Sequence, residues 1–95
     1  MANTYLVGHI TVKDKEKWQE YRSKVSATIE KFGGELVFRG SLDSVLSGSH
    51  KHQDTVVIKF PNMQSLNDWY NSPQYQSIIP IRDEAAIMDL LTYEV

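Results

Sequence analysis

The spacing of apolar residues changes period along this chain, and the order of the changes admits few folds. Residues 5–12, YLVGHITV, alternate as a strand does. Leu6, Gly8, Ile10 and Val12 share one face; Tyr5, Val7, His9 and Thr11 share the other. Across residues 14–32 the period becomes helical, with Trp18, Tyr21, Val25, Ile29 and Phe32 on one stripe. Asp14 is placed to cap that helix by accepting from free N–H groups of its first turn. Gly33 fits the left-handed position just past its end. The glycine pair therefore closes a helix, whereas a phosphate-cradling loop would open one.

The alternating period returns in residues 35–39, ELVFR. Strict alternation puts Leu36 and Phe38 on one face and Glu35, Val37 and Arg39 on the other. Residues 40–52 are polar and rich in Gly and Ser, with SVLSG a candidate short strand or hairpin. Residues 54–60, DTVVIKF, form a third strand with Val56, Ile58 and Phe60 opposed to Thr55, Val57 and Lys59. After Pro61, Asn62 caps a second helix that turns Met63, Leu66, Trp69 and Tyr70 inward. Ser72 and Pro73 restart a helical segment over residues 73–85, expected in two pieces because Pro80 lacks a backbone donor. Residues 87–94 close as a strand.

Strand, helix, strand, strand, helix, strand is the split βαβ order of an α+β, ferredoxin-like βαββαβ domain: a four-stranded antiparallel sheet with its helices on one face. At 95 residues, one domain over 1–95 is expected. The helix-free face would carry Val7, Val37 and Val57, too apolar to leave wet, so a homodimer through that face is expected. A net charge of −2 offers no broad attraction to nucleic acid or anionic membrane. With no cysteine, thiolate metal sites, disulfides and a Cys nucleophile are excluded. The N-terminus lacks the basic and apolar regions of a leader, and no run approaches spanning length, so a cytoplasmic location is expected.

Four segments, YLVGHITVKDKEKWQEYRSKV, KFGGELVFRG, TVVIKFPNMQSLNDWYNSPQYQ and IRDEAA, together resemble the family called domain of unknown function 1330, within the dimeric α+β barrel superfamily. The most specific pieces are the glycine pair before a strand ending Arg-Gly, WYNSPQYQ, and Arg82. The resemblance implies a ferredoxin-like subunit and a sheet-to-sheet dimer. Relatives across the superfamily include cofactor-independent monooxygenases, haem-degrading enzymes, decarboxylases, isomerases and stress-response proteins. Ser41 departs from the family pattern, in which a second glycine often follows Arg-Gly.

Among chemistry-bearing residues, strand parity puts Arg39 on the helix-free face with His9, Glu35 and Lys59. A guanidinium there could hold a carboxylate or enolate through paired N–H groups, or pair with Glu35 or an acid of the partner subunit. His9 could move a proton near neutral pH. Trp69, Tyr70, Ser72, Tyr75 and Arg82 gather at the helix break, where aromatic groups beside an arginine suit a flat or acidic small molecule; they equally suit core packing and a bridge from Arg82 to Asp83, Glu84 or a C-terminal carbonyl. His50 and His52 have His-x-His spacing and, with Asp54, could ligate a divalent ion, but a solvated loop is the better reading. One core-strand histidine is too little for haem, and the sheet lacks an aromatic platform for RNA. Two functions are therefore expected. One is a cofactor-free enzyme on a small acidic or phenolic substrate, with Arg39, His9 and Tyr75 catalytic and Trp69, Ser72 and Arg82 binding. The other is a non-catalytic small-molecule-binding or stress-related dimer.

Overall fold

A computed structural model describes residues 3–95; Met1 and Ala2, the start of the stretch weighed as a leader, lie outside them. The chain runs β1 (Thr4–Val12), α1 (Lys15–Lys31), β2 (Glu35–Ser41), β3 (Asp54–Phe60), α2 (Met63–Tyr70), α3 (Pro73–Gln76), α4 (Ile79–Ala85) and β4 (Ala86–Glu94). The sheet has the order β2-β3-β1-β4, antiparallel throughout. This is the expected α+β, ferredoxin-like architecture. No helix among the described residues is long and apolar enough to cross a membrane.

The core lies between the helices and one face of the sheet. Leu6 and Ile10 of β1 and Val56, Ile58 and Phe60 of β3 meet Tyr21, Val25 and Ile29 of α1 and Leu66 and Trp69 of α2. The helix termini follow from side-chain chemistry. Asp14 accepts from the N–H groups of Glu16 and Lys17. At the other end Gly33 has φ +81°; its N–H donates to the Glu30 carbonyl and that of Gly34 to the Ile29 carbonyl. This paired bonding satisfies two carbonyls of the last turn and turns the chain into β2.

Four expectations need correction. Tyr70 is exposed, while Leu66 and Trp69 alone of its helix are buried. Pro80 does not make the break in residues 73–85. The helix breaks at Ser77 and Ile78, and Pro80 sits in the first turn of α4, where a missing donor costs nothing. Residues 42–53 contain no strand: SVLSG is loop, and Leu46 is 98% exposed.

The fourth correction concerns β2. Leu36 stands opposite Ile58 and Phe38 opposite Val57, so two steps along β2 match one along β3. Val37 is the extra residue of a β-bulge, and past it the alternation inverts. Phe38 moves to the helix-free face beside Val57. Arg39 pairs with Val56, a core residue, and so rises on the helix side. Tyr5, Val7, His9, Thr55 and Val57 keep the parity expected of the helix-free face, and Asp89 and Leu91 of β4 lie on it with them.

Candidate functional site

Arg39 opens onto a cleft of about 310 Å³ between the sheet and α1, lined also by Ile10, Trp18, Arg22, Ser41 and Asp54. Helical spacing delivers Trp18 and Arg22, one turn apart; β2 and β3 deliver Arg39 and Asp54. Among the described residues no carboxylate lies within 4.0 Å of Arg39 or Arg22, and neither guanidinium donates a hydrogen bond to protein. Partial burial, and next the like charge of Arg22, lower the Arg39 pKa from its ordinary value. Two cations thus stand together facing the cleft, offset in part by the Asp54 carboxylate that lines it too.

The cleft deepens into an apolar recess lined by Trp18, Tyr21, Val25, Val56, Trp69 and Leu90, among others. Trp18 stacks on Tyr21, with ring centres 5.4 Å apart and planes 25° from parallel. Behind them runs a buried chain. Tyr21 Oη is 3.0 Å from Tyr75 Oη, and Arg82 Nη1 donates to Tyr75 Oη over 3.0 Å. Arg82 also donates to Asp83 Oδ1. Burial, then the neighbouring Tyr75, pushes the Tyr21 phenol above its ordinary pKa, against the pull of Arg82 and Arg39. Tyr21 is accordingly a hydrogen-bond donor at neutral pH, not a base.

The residues named as a catalytic trio do not converge. His9 lies on the opposite face of the sheet from Arg39, and its Nδ1 is 3.2 Å from Thr55 Oγ1. Tyr75 is fully buried and reaches the recess through Tyr21. Trp69 is core, its Nε1 donating to Thr28 Oγ1, although its ring lines the recess. Ser72 is a buried helix cap: its hydroxyl donates to the Trp69 carbonyl and accepts from the Tyr75 N–H. Asp54 does not join His50 and His52; it faces the cleft. Sequence reading missed Tyr21 and Trp18, hidden in a stripe that looks like core, and Arg22, hidden among solvated charges.

A model of the family described as domain of unknown function (DUF1330) matches residues 3–95. No curated protein matches. Among solved structures, a protein of unknown function from Rhodopseudomonas palustris superposes with a TM-score of 0.84 at 14% identity, covering 97% of this chain and 81% of that one. A dimeric ferredoxin-like protein of unknown function from Jannaschia sp. CCS1 gives 0.77 at 12%, covering 98% and 99%. SnoaB, a cofactor-independent oxygenase from Streptomyces nogalater, gives 0.69 at 12%, covering 98% and 92%. At these identities the likeness is one of fold.

Proposed function

We propose that this chain, which belongs to the DUF1330 family, binds a small, flat, anionic organic molecule in the cleft between α1 and the sheet. The observation that carries the reading is the pair of guanidiniums, Arg22 and Arg39, facing that cleft without a carboxylate partner among the described residues. Planar N–H forks match a carboxylate, enolate or phenolate. The stacked Trp18 and Tyr21 supply an aromatic wall of matching shape.

A second reading, cofactor-free turnover of such a molecule, is favoured by the chain of groups behind the cleft. A guanidinium only donates, so Tyr75 Oη accepts from Arg82 and can pass its own hydrogen to Tyr21 Oη. The Tyr21 hydroxyl is then free to donate to charge developing on a ligand held by Arg39. Asp54, lining the same cleft, is the carboxylate placed to take a proton. SnoaB shares the fold and is a cofactor-independent oxygenase.

The quaternary reading is a homodimer through the helix-free face. Phe38 on β2 and Ile87, Leu91 and Tyr93 on β4 are exposed there, 40–54% each, large apolar side chains that a second sheet could cover. The Jannaschia protein of the same fold is described as dimeric.

The binding test is a thermal-shift screen of aromatic and unsaturated carboxylic acids against wild type, Arg39→Ala and Arg22→Ala. Wild type should be stabilised by some of them and both variants much less. Equal shifts in all three proteins would remove the arginines from the site. For turnover, Asp54→Asn should keep binding and lose exchange of an acidic C–H of the bound acid into D2O.

A further inference from the structure

The helix-free face carries a second group of chemistry-bearing residues, remote from the cleft. His9 on β1 meets His50 and His52, delivered by the loop of residues 42–53. The loop is pinned at its end: Gln53 N–H donates to the Ile10 carbonyl, and His52 is almost wholly buried. Both His52 nitrogens are engaged, Nε2 with Asp89 Oδ2 at 2.7 Å and Nδ1 with Thr11 Oγ1 at 3.0 Å. His52 is therefore a brace that fixes its neighbour two residues back.

His9 and His50 are different. His9 is held through Nδ1 by the Thr55 hydroxyl, which leaves Nε2 without a protein partner among the described residues. His50 is exposed and makes no protein hydrogen bond among them. Their ring centres are 5.0 Å apart with planes at 76°. Two imidazoles sharing a tetrahedral ion at about 2.0–2.1 Å, with about 1.1 Å from nitrogen to ring centre, have ring centres roughly 5 Å apart. Asp89, directly across the ladder from His9, puts a carboxylate beside the pair, its Oδ2 shared between His52 and, at 3.8 Å, the Lys51 ammonium. Around them is a recess of about 740 Å³ that Lys51 also lines.

We propose that His9 and His50 form a two-ligand binding site for a divalent transition-metal ion of the kind that imidazole prefers, such as Zn2+, Ni2+ or Cu2+. No three His, Asp or Glu groups converge on one point among the described residues. Two protein ligands leave the other positions to water or to a further ligand, unlike a closed four-ligand structural site, and because Leu91 lines both this recess and the surface proposed as the dimer contact, the ion lies at that contact.

The test is calorimetric titration of ZnCl2 into the full chain carrying no histidine tag. One ion per chain should bind. His9→Gln and His50→Gln should each weaken binding at least tenfold, and the double variant should abolish it. His50 is on an exposed loop, so its variant should keep the wild-type melting temperature. In NMR spectra Zn2+ should move the imidazole signals of His9 and His50 most. Absence of binding at millimolar Zn2+ overturns the proposal, as does wild-type affinity in His50→Gln. Binding that survives in the double variant locates the ion elsewhere and overturns it equally.

Discussion

Arg39 stands directly across the β2–β3 ladder from Val56, a residue of the core, and shares the cleft with Arg22 of α1. Two like charges are thereby held together on the wall of a recess whose floor is aromatic. Such an arrangement is unfavourable in the empty protein and becomes favourable when an anion lies between the charges.

The first prediction concerns affinity. A hydrogen bond to a charged group contributes about 1.5–3 kcal/mol, so Arg39→Ala should weaken an aromatic carboxylate ligand by roughly 10- to 100-fold. Arg22→Ala should do the same to a smaller degree. Neither should lower the melting temperature, since neither guanidinium is bonded to protein among the described residues. Calorimetry and a thermal melt of each variant, run side by side, check both halves.

Tyr75→Phe should cost stability. It removes the oxygen that Arg82 Nη1 and Tyr21 Oη both reach, leaving the buried Tyr21 hydroxyl without that partner while the half-buried Arg82 keeps its bonds to Asp83. About 1–3 kcal/mol is expected, read from urea unfolding. A variant as stable as wild type would mean the chain of hydroxyls contributes nothing to folding.

Alkaline pH should destabilise the protein through Tyr21. The folded state raises the phenol pKa by burial and by its neighbour Tyr75, so it retains a proton that the unfolded chain releases above about pH 10. The stabilisation is complete below that pH and declines as pH rises through it. Melts between pH 9 and 12 should fall more steeply for wild type than for Tyr21→Phe. Parallel curves would remove Tyr21 as the cause.

Two glycines near β2 should respond oppositely to a methyl group. A Cβ at Gly34 would sit 2.4 Å from Ile29 Cγ2 and 3.1 Å from Phe60 Cε1, inside the packed core. Gly34→Ala should cost about 1–3 kcal/mol. At Gly40 nothing lies within 4 Å, so Gly40→Ala should stay within about 0.5 kcal/mol of wild type.

For the dimer, Phe38→Glu places a charge in the apolar surface of the helix-free face. Light scattering should give a dimer for wild type and a monomer for this variant, while circular dichroism stays the same. A wild-type chain that remains monomeric at micromolar concentration would end the dimer reading.

The fold was legible because each element announces itself locally. Asp14 and Gly33 mark the ends of α1 by capping chemistry, and Val56, Ile58 and Phe60 mark the inner face of β3 by alternation. The site was legible only in its inventory. Arg39 was singled out, but its face was misassigned: a bulge depends on pairing with β3, and a single strand read alone carries no sign of it. Tyr21 fits a core stripe and is in the core, so nothing in its spacing reveals the hydroxyl contact with Tyr75, 54 residues away. His9, His50 and His52 are joined by a loop whose path over the sheet is a tertiary property. Asp54 neighbours them in sequence alone; it belongs to β3 and lines the cleft on the other face.

The bulge at Val37 also bears on how this surface can vary by mutation. In a regular strand, gaining or losing one residue turns every following side chain to the other face. Here the surplus residue is confined to one irregular step, with Leu36 and Phe38 already set against consecutive residues of β3. Loss of residue 37 would leave those pairings intact. Length variation at that step is therefore separable from the choice of which side chains face the cleft and which face the opposite surface, so the two surfaces can diversify independently.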